Sequence, residues 1–200
     1  MKQNELYPIF LKASQLNILI VGGGKVANEK LSFLLKSSPT AKVWVLAKQF
    51  SDEIKKTASK QNIPLVFGTY HKNVLHKQQI VLAATNNTAV NKQIYNDAKA
   101  KNSLVNVADT PELCDFYMGG IVTKGNVKLA ISTNGKSPTL AKRLRQLFEE
   151  MIPDSIDELT QNLHTYRNSL KGNFSYKVLQ LNKLTRQLLI NSQKNKIICK

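Results

Sequence analysis

The sequence predicts an α/β fold: a Rossmann-type parallel sheet, then a small β-hairpin segment, then a C-terminal helical domain. Three observations predict it. The apolar run Ile18–Val21 stops at Gly22-Gly23-Gly24, and a helical pattern begins at once. Strand-like and helix-like segments then alternate as far as Val107, the rhythm of a parallel sheet with helices on its faces. Near residue 112 this rhythm gives way to a hairpin and then to helices alone. The expected division is 1–112 for the sheet domain, 113–150 for the hairpin and its helix, and 151–200 for the helical domain.

Each element has its own signal. Residues 26–36 hold Val26, Leu31, Leu34 and Leu35 at helical spacing, and Ser37-Ser38-Pro39-Thr40 breaks the pattern. Residues 42–47 read as the second strand, through Val43, Val45 and Leu46. Ser51 suits a helix N-cap, with Asp52 and Glu53 in the first turn, where the helix dipole favours them. Residues 63–67, 79–83 and 103–107 read as the third, fourth and fifth strands, with a helix over 89–101 between the last two. Segments 119–123 and 126–132, joined by Lys124-Gly125, read as an antiparallel hairpin. Ser137-Pro138 marks the next helix start, serine as N-cap and proline at the first helical position. Leu140, Leu144, Leu147 and Phe148 give that helix an apolar face. Past Pro153, Ile156, Leu159, Leu163, Tyr166 and Leu170 step by three and four, as do Leu181, Leu184 and Leu188 after the Gly172-Asn173 break. Residues 193–200 are expected to fray.

Gly22, Gly24 and Ala27 fit the G-x-G-x-x-G/A spacing of a dinucleotide turn. The first glycine permits the turn, the second lets backbone approach a pyrophosphate, and the small third residue lets helix and strand pack closely. Free N–H groups at the helix start, at Lys25 and Val26, then face the phosphates. Ligands of parallel sheets sit beyond the carboxyl ends of the strands. The candidate cofactor site therefore gathers Gly22, Gly23, Gly24, Lys25 and Val26 with Ala47, Lys48 and Gln49 after the second strand and Thr85 after the fourth. A glycine-rich turn without a ligand is the alternative.

Composition sets limits. The chain has 200 residues with 42% hydrophobic content, enough for a substantial core. Its apolar runs are much shorter than a membrane span, and no signal-type apolar core follows Met1, so a cytoplasmic protein is expected. Cys114 and Cys199 cannot form a disulfide framework or a four-cysteine metal site, and Cys199 sits in a polar tail. His71, His76 and His164 are spaced poorly for a shared metal, so no metal site is expected. The net charge is +16 and is spread evenly: 15 Lys/Arg against 7 Asp/Glu over residues 1–112, and 14 against 6 beyond. Such a field attracts nucleic acid, acidic lipid or a polyanionic small molecule, or is simply a solvated basic surface. No recognised nucleic-acid motif accompanies it. Salt-sensitive DNA binding would have to come from bulk charge alone.

Residues 104–138 are denser in polar groups than packing requires. Asn106 and Asp109 follow the fifth strand, and Asp115 and Tyr117 follow Cys114. Ser132-Thr133-Asn134-Gly135-Lys136-Ser137-Pro138 joins the hairpin to its helix. Asp109 reads as a carboxylate at the strand edge or as a turn residue before Thr110-Pro111. Thr133, Asn134, Lys136 and Ser137 read as an anion site at a helix start or as simple capping.

Three segments together resemble the precorrin-2 dehydrogenase family, the NAD-dependent module of siroheme synthases. They are the run from Val21 to Lys30, the run from Leu104 to Phe116, and the run from Leu129 to Pro138. Tyr7-Pro8-Ile9-Phe10 and Ala83-Ala84-Thr85-Asn86 are also similar, so the likeness covers roughly residues 6–150. The resemblance implies NAD-dependent oxidation of precorrin-2 to sirohydrochlorin, with insertion of ferrous iron in some members. It implies that Asp109 is the functional carboxylate, a base for the proton lost in dehydrogenation. Asn106, Thr133, Asn134, Lys136 and Ser137 become candidates for the polycarboxylate substrate. It also implies a homodimer built through the hairpin segment, in keeping with strands this short being marginal alone. A chain of this length has no room for the methyltransferase module, so precorrin-2 is expected to come from another protein. A non-catalytic dinucleotide sensor would explain the glycines and the charge but not residues 104–138.

Two departures stand out. Glu29 occupies a position where the family often has Arg, and a first-turn acid would suit the helix dipole. The acid expected about twenty residues past the glycines is missing, and Lys48 stands near its place. NAD is the expected cofactor, although a lysine there suits a 2′-phosphate.

Overall fold

A computed structural model describes residues 4–190. The frayed tail expected over 193–200, and Cys199 with it, lie outside the described residues. The chain divides into two compact units. One runs up to Ile121 and includes Ala130–Arg145; the other comprises Val122–Leu129 and the chain from Gln146 onward.

The first unit is built on five parallel strands: β1 (Asn17–Val21), β2 (Lys42–Ala47), β3 (Leu65–Phe67), β4 (Ile80–Ala83) and β5 (Leu104–Val107), in the order β3-β2-β1-β4-β5. Three helices connect them: α1 (Lys25–Ser37), α2 (Asp52–Gln61) and α3 (Thr88–Ala100). The central strands are near-continuous apolar runs because helices cover both faces. Leu19, Ile20, Val45, Val81 and Val105 are fully buried. On α1, Ala27, Leu31 and Leu35 recur every four residues and pack on the sheet, and α2 does the same through Ile54 and Ala58. Burying one such leucine contributes about 1.5–3 kcal/mol.

The parallel α/β architecture expected from the sequence is present. Its boundaries differ by one or two residues, for local reasons. β3 begins only at Leu65: Pro64 has no N–H to offer, and its carbonyl accepts from the Val45 N–H at 3.0 Å. α3 begins at Thr88 because the Asn87 side chain accepts from the Val90 N–H at 3.1 Å. α1 begins at Lys25, so Glu29 falls outside its first turn. The favourable dipole contact expected for Glu29 is therefore absent.

Register decides what lies at the sheet's carboxyl edge. Val21 pairs with Leu46 on one side and with Ala83 on the other, and Ala83 pairs with Val107. Four strands thus end level. The chain order reverses between β1 and β4, which makes the crevice beyond them the ligand site of such a sheet.

After β5 the chain turns back along the sheet's outer edge. The Asp115 N–H donates to Val105 O at 2.8 Å, and its carboxylate accepts from the Val105 N–H at 3.0 Å and from Lys99 at 2.7 Å. This covers the open edge of β5. The expected hairpin follows as β6 (Gly120–Lys124) and β7 (Val127–Ile131), and α4 (Pro138–Met151) starts at the proline. Within the first unit, Gly120 lies against the Ala141 carbonyl and Arg145 of α4. The apolar face expected on α4 exists but is not buried in the chain: Leu140 and Leu147 are exposed.

In the second unit, α5 (Ile156–Ser169) and α6 (Phe174–Ile190) follow the helical stepping read from the sequence. The hairpin tip is tied to α5, where Asp157 accepts from both the backbone N–H and the side-chain amide of Asn126 at 2.7 Å. Those bonds hold the Asp157 carboxyl below the usual carboxylate range. No helix among the described residues is long and apolar enough to cross a membrane.

Candidate active site

The glycine turn sits at the end of β1, in the crevice. Gly22 has φ +136, which side chains rarely adopt, and a Cβ there would meet the Ala84 carbonyl oxygen of the β4 loop. Gly23 is equally confined, against the carbonyl of Gln49 in the β2–α2 loop. Gly24 differs: nothing lies within 4 Å of the Cβ position. It is also the N-cap of α1 and supplies no side-chain cap, whereas Ser51 and Asn87 cap α2 and α3. The first N–H groups of α1 therefore lie uncapped beside open space. A helix start of this kind suits a pyrophosphate. Ala27 is fully buried against the strand, as the spacing predicts.

The other expected cofactor residues gather on the same edge. Ala47 ends β2, and Lys48 and Gln49 are exposed just beyond it. Lys25 and Val26 are exposed in the first turn of α1. Thr85 lies one residue beyond Ala84, opposite the glycine turn, and is held rigidly. Its N–H and hydroxyl donate to Asn91 Oδ1 at 3.2 and 2.6 Å, and Asn91 Nδ2 donates back to the Thr85 carbonyl at 3.0 Å. Asn91 is buried, and its only cue in the sequence is a polar residue on a helical apolar face.

A cleft of about 580 Å³ opens in the first unit beside the end of β5. Asp109 lines it with φ +57, a left-handed conformation that aspartate tolerates better than most residues. Asn106 is buried at the cleft wall. Its Nδ2 donates to the Phe116 carbonyl at 2.8 Å, and its Oδ1 accepts from Lys30 Nζ at 2.7 Å. Lys30 comes from α1, and burial pushes its ammonium below the usual lysine range. Cys114 braces the loop: Val107 N–H donates to its sulfur at 3.3 Å and the thiol reaches the Val107 carbonyl at 3.2 Å. Burial raises that thiol, so it stays protonated.

The structure brings Asp109, Asn106 and Thr133 to this cleft. It does not bring Asn134, Lys136 or Ser137 to its lining. Asn134 and Lys136 are exposed on the loop before α4, and Ser137 caps that helix by accepting from the Leu140 N–H at 3.2 Å. Thr133 is half-buried and shares two bonds with the Ser137 backbone. Lys30, Lys142 and Arg145 line the cleft and were not among the sequence candidates. For α4 the helical spacing was the available signal: Pro138, Ala141, Lys142 and Arg145 share one side.

Residues 9–120 match the family described as putative NAD(P)-binding, and residues 124–151 match the family described as sirohaem biosynthesis protein central. The chain belongs to this NAD(P)-binding family. A siroheme synthase from Psychrobacter cryohalolentis is 38% identical over 166 residues, covering 83% of this chain and 31% of that protein. One from Pseudoalteromonas atlantica is 35% identical over 171 residues, covering 86% and 37%. The chain thus spans about a third of the length of these curated relatives. Among solved structures, SirC, a precorrin-2 dehydrogenase, superposes with a TM-score of 0.74 at 26% identity, covering 90% of this chain and 89% of that one. The resemblance read from the three sequence segments therefore holds for family and fold. The chain carries a domain of the putative NAD(P)-binding family, followed by a segment like the central part of sirohaem biosynthesis proteins.

Proposed function

We propose that this protein oxidises precorrin-2 to sirohydrochlorin with NAD, as one step of siroheme biosynthesis. The level strand ends carry the proposal: they bring the uncapped glycine turn and the Asp109 cleft to one edge of one sheet. When bound, the nicotinamide supplies the hydride acceptor. Gly22–Val26 would hold the pyrophosphate of the dinucleotide through backbone N–H groups, with Ala47, Lys48, Gln49 and Thr85 lining the flanks. Oxidation removes a hydride and a proton from the tetrapyrrole, and the Asp109 carboxylate accepts the proton. Thr133 contacts the substrate, while Asn106, already engaged at both ends of its amide, positions the cleft wall. Asn134 and Lys136 guide the polyanion from the rim. Iron insertion is proposed to use the same carboxylate. The protein is proposed to be cytoplasmic and homodimeric, and the exposed Leu140 and Leu147 of α4 support the dimer. Light scattering that finds a monomer at micromolar concentration overturns the dimer.

The test is incubation of purified protein with precorrin-2 and either NAD or NADP, followed by absorbance. The sirohydrochlorin spectrum is expected with NAD. Absence of product with both cofactors overturns the reaction, and much faster turnover with NADP overturns the cofactor.

A further inference from the structure

We propose that Lys30 is a substrate-binding and specificity residue of the cleft: its ammonium receives one carboxylate of the tetrapyrrole and fixes that edge of the substrate beside Asp109. The identity of the ligand rests on the dehydrogenase proposal above. The need for an anion rests on the geometry alone.

The geometry starts at Asn106. Its amide nitrogen is committed to the Phe116 carbonyl, so its oxygen is fixed toward Lys30 Nζ, 2.7 Å away. An ammonium has three N–H donors, and Asn106 takes one. Among the described residues no carboxylate forms an ion pair with Lys30. Lys30 is half-buried and lines the cleft together with Asp109. A charge drawn out of water normally carries its counter-charge with it. Here the hydrogen-bonded partner is a neutral amide; Asp109 and Glu29 act on the charge only from beyond ion-pair distance, and the cleft is the side left for a closer anion. A carboxylate there forms a charge-assisted hydrogen bond, stronger than the neutral kind. Burial already holds the lysine below its usual range, and an anionic ligand would restore it. Lys142 also lines the cleft but is exposed on α4, where solvent weakens its pull. Lys30 thus positions, and Lys142 attracts.

The competing role is purely structural: Lys30 bracing Asn106. Three variants separate the two. Lys30→Met keeps the aliphatic stem and loses the charge, Lys30→Gln keeps a donor for Asn106 and loses the charge, and Lys30→Arg keeps the charge. Each is measured for precorrin-2 kinetics, for binding of an octacarboxylate porphyrin by absorbance titration, and for NADH binding by fluorescence. Both neutral variants are expected to raise the precorrin-2 KM and the porphyrin Kd about tenfold to a hundredfold. NADH binding stays within about twofold, which also reports an intact fold, and Lys30→Arg recovers most of the loss. Should Lys30→Met fail to fold, Lys30→Gln decides. Neutral variants that bind porphyrin like the wild type overturn the proposal, as does Lys30→Gln behaving normally while Lys30→Met does not. Wild-type turnover of precorrin-2 with unchanged neutral variants removes Lys30 and leaves the dehydrogenase standing. Charge-dependent porphyrin binding without turnover keeps the Lys30 site and removes the dehydrogenase.

Discussion

The glycine turn and the Asp109 cleft share one edge of one sheet but are made of different material. The turn is backbone: Gly22 and Gly23 press against the carbonyls of Ala84 and Gln49, and Gly24 leaves open space before uncapped N–H groups. The cleft is side chains drawn from α1, β5, the loop beyond it and α4. A backbone site is inseparable from the fold that makes it, because altering it means altering the turn. A side-chain site can lose its chemistry while its walls stand. The neighbouring helices sharpen the contrast, since α2 and α3 spend the same N–H groups on Ser51 and Asn87.

The largest expected effect breaks the backbone half. Gly22→Ala places a Cβ on the Ala84 carbonyl in a conformation alanine avoids, a cost of about 3–5 kcal/mol against a typical total of about 5–15. Thermal unfolding should show a collapsed midpoint or no folded protein. Next comes the side-chain half. Asp109→Asn keeps a residue that tolerates φ +57 and removes the carboxylate proposed as the base. Turnover should fall about 10²–10⁴-fold with the melting curve and NADH binding unchanged; a melting midpoint that falls with activity would assign Asp109 to structure. Gly24→Asp separates stability from binding within one residue. Its extended N-cap backbone suits aspartate, so α1 should gain about 0.3–0.5 kcal/mol while like charge repels the pyrophosphate and NADH affinity drops at least about tenfold. Affinity that survives would mean the phosphates lie elsewhere. The smallest effect is the control. Asn87→Ala should cost about 1 kcal/mol through the lost cap of α3 and leave NADH binding unaltered.

The same contrast explains how much could be read from the chain. The backbone half was legible because its determinants are contiguous. β-branched residues stop at three glycines within eleven positions, and strand alternation then places Ala47 and Thr85 on the same edge. Asp109 was legible through a motif, and the loop around it through its density of polar residues. The environment of Asn106 was not, because its partner Lys30 lies 76 residues away and a lysine on a helix ordinarily faces water. Asn106 was therefore expected at the substrate, yet its amide is occupied at both ends. Lys142 and Arg145 were not legible because they adjoin the apolar stripe of α4, where a basic residue ordinarily faces water. Glu29 was misplaced by one helical turn, since Gly24 rather than a side chain sets where α1 begins.

The bonds between Thr85 and Asn91 have a consequence for speed. They shape the wall opposite the glycine turn before any ligand arrives, through three hydrogen bonds that close on one buried amide. A wall already set loses little conformational freedom on binding. A dinucleotide held against Thr85, as proposed above, would then be captured at a rate set by encounter in solution, not by a loop searching for its shape. Cutting that bond set with Asn91→Ala should loosen Thr85 and slow dinucleotide association in stopped-flow binding.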